Sequence, residues 1–225
     1  MTTARYDGQT EWYDAFADGE AHNAARDFAV SLLGEGTGRC LDLGTGTGLA
    51  VPGLARSGWS VVGVDIPEDQ LERARSRYGH VAEFVCADAH ALPFRDEEFD
   101  AVVSFLTHTD FDEPSKAFVE AHRVLRRGGT FVYLGVHPCF GSPFVARARA
   151  VDIDGVVAVV LPGYASPGWR PVPPASEGVT ARVGINHAPL ADLLNAVLAS
   201  GFMLTEVHEP GAADPPIFFA FRATT

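Results

Sequence analysis

Lysine is almost missing from this chain. Of 17 basic residues among 225, 16 are arginine and only Lys116 is lysine, a codon signature of a GC-rich source without functional meaning. Positive charge as a whole is scarce, because 29 acidic residues leave a formal net charge of −12. A general nucleic-acid binder needs a cationic surface to displace phosphate counterions, and docking on anionic membranes needs one too. Both are disfavoured. Cysteine is sparse as well: Cys40, Cys86 and Cys139 are an odd set with no C-x-x-C pair. That excludes a disulfide scaffold and reads as reduced thiols in a cytoplasmic protein. Long apolar runs are absent, since Gly155 to Leu161 falls far short of the ~20 residues that span a bilayer. The polar stretch Met1 to Gln9 lacks the apolar core of a signal peptide.

What is present is a core-forming composition, 47% hydrophobic and 20% charged, at a length that suits one α/β domain over residues 1–225. Strand-like runs alternate with helix-like stretches, the pattern of a parallel sheet covered on both faces. Strands are expected at Arg39–Leu43, Ser60–Asp65, Ala82–Cys86, Ala101–Ser104 and Thr130–Val136. Helices are expected from about Leu49 to Ser57 and from Glu68 to Tyr78. A further helix opens at Asp112-Glu113-Pro114, with Asp112 as its cap, and stops at Gly128-Gly129. Residues 1–35 form an N-terminal helical cap. Residues 138–183 hold seven of the 15 prolines and are too long for an ordinary loop, so they read as an inserted lid. A helix at Leu190–Ser200 and strands at Leu204–Val207 and Phe218–Arg222 close the domain.

The sharpest local signal is Asp42-Leu-Gly-Thr-Gly-Thr-Gly48, between a strand and a helix. Glycines there let the backbone turn tightly and approach a ligand, with helix N–H groups facing the crevice. The dinucleotide fingerprint G-x-G-x-x-G would need its third glycine at Leu49, and a G-K-[ST] phosphate loop is absent. The ends of the next two strands bring Asp65 and Asp88. A carboxylate at the first position can accept both hydroxyls of a ribose, and one at the second can accept an adenine amino group. Their structural alternatives are a helix cap and a turn.

This constellation resembles the class I S-adenosylmethionine-dependent methyltransferases, in particular the small bacterial methyltransferase-11-type group. The matching residues are Asp42 to Gly48, Gly63-Val-Asp65, Ala87-Asp88-Ala89 with Leu92-Pro-Phe94, Phe99-Asp100-Ala-Val-Val103 and Arg123-Val-Leu-Arg-Arg-Gly-Gly129. They cover roughly Gly38 to Gly135. Arg127 stands where a proline is common, and Ile66-Pro67 where a small polar residue usually follows the ribose-binding acid. The resemblance implies a Rossmann-like seven-stranded sheet of order 3-2-1-4-5-7-6 with the last strand antiparallel. It implies S-adenosylmethionine as cofactor. Gly44, Thr45, Gly46 and Gly48 would pack on its methionine portion with Asp42 behind them. Asp65 would hold the ribose, Ile66 would border it, and Asp88 with Ala89 would read the adenine. Phe105 would end the fourth strand beside it, and Tyr13, with Trp12, would close over the top.

Methyl transfer requires alignment of acceptor and sulfonium, and a base only where the attacking atom carries a proton that must leave. Histidine suits that role at neutral pH. Among eight histidines, His108 and His137 follow the fourth and fifth strands and are the candidate catalytic bases. His187, after the lid, is a weaker candidate. Phe140, Phe144, Tyr164 and Trp169 are candidates for an apolar acceptor pocket. His108, Asp110 and Asp112 lie too densely in one loop for a metal site, so no metal is expected. The expected activity is methylation of an O, N or C atom of a small molecule such as a secondary metabolite, by a monomer or homodimer. The alternatives are a non-catalytic or cyclase relative that keeps the cofactor site, or a nicotinamide oxidoreductase. Residues 1–35 carry net −5 and residues 88–113 net −7, so the acidity concentrates where a cationic cofactor would bind.

Overall fold

A computed structural model describes residues 5–141, 149–160, 163–170 and 182–225. Two helices lead the chain, α1 (Thr10–Ala17) and α2 (Glu20–Leu33). Then β1 (Arg39–Leu43), α3 (Val51–Arg56), β2 (Ser60–Asp65), α4 (Glu68–Tyr78) and β3 (Ala82–Cys86) alternate. They are followed by β4 (Phe99–Phe105), α5 (Pro114–Val124) and β5 (Leu125–Val136). The insertion contributes a hairpin, β6 (Arg149–Ile153) with β7 (Val156–Val160), and a short pair, β8 (Gly168–Arg170) with β9 (Ile185–His187). The chain ends with α6 (Leu190–Ala199), β10 (Met203–His208) and β11 (Phe218–Thr224).

Seven strands make one sheet in the order β3-β2-β1-β4-β5-β11-β10, which is the expected order with β10 and β11 as its last two strands. The first five are parallel, and β11 runs antiparallel to both β5 and β10. Side chains alternate across it, as a period of two demands. Leu41, Leu43, Val62, Val64, Val102, Phe131 and Tyr133 join α5 and α6 on one face. Cys40, Val61, Ala101, Val103, Val132 and Leu134 join α2 and α3 on the other. Burying each large aliphatic side chain contributes about 1.5–3 kcal/mol, so the two faces fix the register and the carboxyl ends of β1 to β5 line up along one edge.

Two boundaries differ from expectation. The helix after β4 ends at Val124, because Leu125 is buried and already pairs with Phe99 at the start of β5. Gly128, at φ +72°, bends the strand at a register shift and does not cap a helix. Glu113, and not Asp112, occupies the position before α5, without a side-chain capping bond. Asp112 instead takes the guanidinium of Arg5. Among the described residues no helix is long and apolar enough to cross a membrane.

Candidate functional site

The turn after β1 is shaped by three glycines in the left-handed region, Gly44 (φ +77°), Gly46 (φ +54°) and Gly48 (φ +80°). Conformation and space both demand glycine at position 44. A Cβ there would lie 2.3 Å from the Thr107 Cγ2 atom. The Gly44 and Thr45 amides donate to the Val64 carbonyl at 2.8 and 2.9 Å, which ties the loop to β2. At the end of β2 the Gly46 amide donates to Asp65 Oδ2 (2.7 Å), and the Ile66 amide donates to Asp65 Oδ1 (2.8 Å). The glycine loop and the β2 acid are thus one hydrogen-bonded unit. Each oxygen of Asp65 keeps accepting capacity for a ligand.

This unit forms one wall of a cavity that opens to solvent. Of the expected binding residues, Tyr13, Gly44, Gly46, Asp65, Ile66, Asp88, Ala89 and Phe105 line it. A second cavity of about 420 Å³ shares Tyr13, Gly44 and Phe105 with the first and adds Asp42, Thr45 and Arg26. Gly48 lines neither. It lies against α4, where a Cβ would meet the Tyr78 ring at 2.9 Å.

Each cavity has both acidic and arginine side chains in its wall. Asp42 is sealed: Thr45 Oγ1 donates to its Oδ2 at 2.7 Å, while Oδ1 has no partner. Burial pushes its pKa up to about 6 against the Thr45 bond. Burial likewise pushes Asp65 up to about 6, against the two amide bonds. An unpartnered carboxylate oxygen in low dielectric is unfavourable until a donor or a cation meets it. Arg26 supplies positive charge to the second cavity. Its guanidinium donates to the Ala17 carbonyl (2.8 Å) and to Asn23 Oδ1 (2.5 Å), and burial lowers its pKa. That cavity therefore has an acid and a guanidinium in its wall.

The N-terminal helices are fastened to the loop by Asp14, which no sequence motif marks. Thr47 Oγ1 donates to it at 2.6 Å, and Arg73 and Arg77 of α4 pair with it at 3.2 and 2.6 Å. Burial opposes its ionisation, yet the bonds from Arg77, Thr47 and Arg73 hold its pKa below the usual carboxylate value. Tyr6, ahead of α1, and Tyr13, within it, meet edge to face with centroids 5.1 Å apart, and both line the first cavity with Arg5. Trp12 does not line it and stacks on Phe16. The turn after β4 adds Leu106, Thr107, Asp110 and Phe111 to the wall. Leu106 sits at φ +61°, a strained conformation for a side-chain-bearing residue. Tyr6, Arg26, Gln70, Thr107 and Asp110 were outside the expected set. Only Asp110 had been weighed, as a metal ligand, and no metal-type cluster of acids, histidines and cysteines occurs among the described residues.

Neither His108 nor His137 lines either cavity. The buried Tyr133 hydroxyl has His108 Nδ1 as its partner. Burial pushes the His108 pKa down to about 3, with His187 lowering it further. In His137, Nδ1 accepts the Cys139 amide (3.1 Å) and Nε2 faces Glu209 Oε1 (2.9 Å). With Nδ1 of His137 accepting, its Nε2–H faces Glu209. His187 Nε2 donates to the Tyr164 carbonyl at 2.6 Å. In the insertion, Trp169 lies under the Arg5 guanidinium, 3.9 Å from its ring centre. Tyr164 accepts the Leu190 amide at 2.9 Å, and Phe140 packs beside His137. Phe144 lies outside the described residues.

A family described as "Methyltransferase domain" matches residues 41–133. The phosphatidylethanolamine N-methyltransferase of Cereibacter sphaeroides is 32% identical over 144 residues, 62% of this chain and 70% of that protein. The demethylmenaquinone methyltransferase of Clavibacter sepedonicus is 45% identical over 96 residues, 42% of this chain and 39% of that protein. Over the first curated relatives, the chain spans 39% to 59% of their length. Among solved structures, an S-adenosylmethionine-dependent methyltransferase from Mesorhizobium loti superposes with a TM-score of 0.74 at 26% identity. That match covers 90% of this chain and 98% of the other.

Proposed function

This chain belongs to the class I S-adenosylmethionine-dependent methyltransferases, and from that premise we propose that it transfers a methyl group to a small-molecule acceptor. The cofactor fits the groups present. Asp42 Oδ1, buried and unpartnered, meets the demand of an α-ammonium group, and Arg26 in the same cavity meets that of an α-carboxylate. Asp65 takes the ribose hydroxyls, and Asp88 with the Ala89 amide takes the adenine edge. Gly44, Thr45 and Gly46 give the close backbone approach, while Ile66, Phe105 and Tyr13 supply apolar walls. Gly48 shapes the loop from behind. When bound, the cofactor supplies a methyl group on a sulfonium, already activated for displacement.

The chain's own contribution is alignment and exclusion of water. Tyr6 and Tyr13 cover the first cavity from the N-terminal side, and the strained Leu106 turn closes it from β4. His108, bonded to Tyr133, and His137, bonded to Cys139 and Glu209, brace the ends of β4 and β5 beside the site. Two relatives are named for acting on a lipid headgroup and on a quinone precursor. The acidic surface likewise favours a small acceptor over nucleic acid.

The carrying observation is the hydrogen-bonded unit of Gly46, Ile66 and Asp65 on the wall of the first cavity. Calorimetry with S-adenosylhomocysteine and with NADH tests it. Micromolar binding of the first and none of the second is expected, and the reverse would overturn the reading. Incubation with methyl-labelled S-adenosylmethionine and a panel of quinols, phenols and amines then tests transfer. Label should move to an organic-extractable small molecule.

A further inference from the structure

Asp110 has no part in the reading above, yet it is a carboxylate in the wall of the same cavity as Asp65. It lies in the turn after β4. Tyr6 brings the sole hydrogen bond its side chain receives among the described residues, hydroxyl to Oδ1 at 3.1 Å. The nearest guanidinium, Arg5, donates to the Asp110 backbone carbonyl and to the Asp112 carboxylate. Among the described residues no cationic side chain forms an ion pair with Asp110, whereas Asp112 has Arg5 and Asp14 has Arg73 and Arg77. Asp65 from the end of β2, Tyr13 from α1, and Tyr6 and Arg5 ahead of it are the titratable groups facing Asp110. Arg5 is the one cation among these four, and its guanidinium is engaged with the Asp112 carboxylate. A carboxylate without a cation in direct contact lacks the close counter-charge that buried acids ordinarily have.

We propose that Asp110, held by Tyr6, is a charge-sensing residue: its carboxylate favours the sulfonium form of the cofactor over the uncharged thioether left after methyl transfer. The inference rests on the reading of this cavity as the cofactor site. Burial raises the Asp110 pKa to about 7, reinforced by Asp65 and opposed by the Tyr6 bond and by Arg5. Near neutral pH the empty site therefore holds a proton on Asp110 part of the time. A cation entering the cavity expels that proton, and a neutral ligand does not. Asp42 and Asp65 face the amino-acid and ribose ends, which are the same in both ligands. The sulfonium also acts on Asp65, which interacts with Asp110 in the same cavity, so the Asp110→Asn variant is what separates the Asp110 share. Functionally, the site grips its substrate form and loosens on the spent form, which limits product inhibition.

The test is calorimetry on the full chain with S-adenosylmethionine and with S-adenosylhomocysteine at pH 6 to 8, in phosphate and in Tris, whose ionisation heats differ. Near pH 7 the sulfonium ligand should release more protons than the thioether. Asp110→Asn should weaken the sulfonium ligand roughly tenfold, leave the thioether within twofold and reduce the difference in proton release to the Asp65 share. Tyr6→Phe removes the bond that favours ionised Asp110. It should move the pH midpoint of the extra proton release upward, which keeps the test available if the Asn variant does not fold. Equal proton release for both ligands in the unaltered protein, or equal weakening of both by Asp110→Asn, would overturn the sensor. Binding of neither ligand would instead overturn the cofactor reading on which it stands.

Discussion

The carboxyl edge of the sheet has two halves built in different ways. On the β1–β2–β3 side the backbone is the instrument: left-handed glycines set a loop whose amides bond the acid at the end of β2. On the β4–β5 side the instruments are side chains, and their partners come from far along the chain. Tyr6 reaches Asp110 across 104 positions, and Arg5 reaches Asp112 across 107. The difference teaches where tolerance lies. A backbone-built half fails when one φ angle or one Cβ is wrong. A side-chain-built half can exchange its groups and so adapt to a different acceptor.

The most damaging test of this contrast is Gly44→Ala. The left-handed conformation alone costs about 1–3 kcal/mol for a residue with a Cβ, and the clash with Thr107 adds to it. Urea unfolding should show the loss, with cofactor binding undetectable; an unchanged midpoint would break the contrast. Next comes Asp65→Ala, which removes charge-assisted bonds to the ribose of about 1.5–3 kcal/mol. It should weaken S-adenosylhomocysteine at least tenfold in calorimetry.

Asp110→Asn sharpens the comparison from the other side through stability without ligand. The folded pKa of Asp110 is about 7 and the unfolded carboxyl ordinary, so between about pH 4 and pH 7 the native state holds more protons than the unfolded one. Parent stability therefore falls as pH rises through that window. The Asn variant should gain relative to the parent across it, on the order of 4 kcal/mol at about 1.4 kcal/mol per pKa unit, and level off above it. Unfolding at pH 4, 5.5 and 7 checks the sign.

Smaller effects belong to the N-terminal segment. Arg182 lies over Trp12, 4.3 Å from its ring centre, and donates to Gln9 Oε1 at 2.8 Å. Arg182→Ala should cost about 0.5–1 kcal/mol and show as faster amide exchange in α1, with α4 unchanged. Smallest of all is the long-range term. The acidic stretches 1–35 and 88–113 supply Asp14, Asp88, Asp110 and Asp112 around the site. The on-rate of the cationic cofactor should fall severalfold between about 0.01 and 0.15 M salt as screening shortens, and that of the neutral product should not. Stopped-flow fluorescence measures both.

The glycine loop and the acids ending β2 and β3 were legible because each depends on spacing within a few residues of its own strand. The sheet order followed from the family resemblance those residues carry, and the strands adopt it. The end of α5 was misread from Gly128-Gly129 because strand pairing by the buried Leu125 outweighed the local stop signal. The role of Asp112 was misread because Arg5, over a hundred positions away, claims its carboxylate.

The sequence by itself determined the alternating sheet, the left-handed loop and the acids that flank it, all of them properties of neighbouring residues. Tertiary structure alone decided which titratable groups face the cavity and in which form. His108 and His137 sit at the expected strand ends, but Tyr133 and Cys139 occupy their Nδ1 atoms. Asp110 lies two residues from His108 and lines the cavity instead. Protonation and ring tautomer follow from burial and partners, and those are set only when distant segments pack.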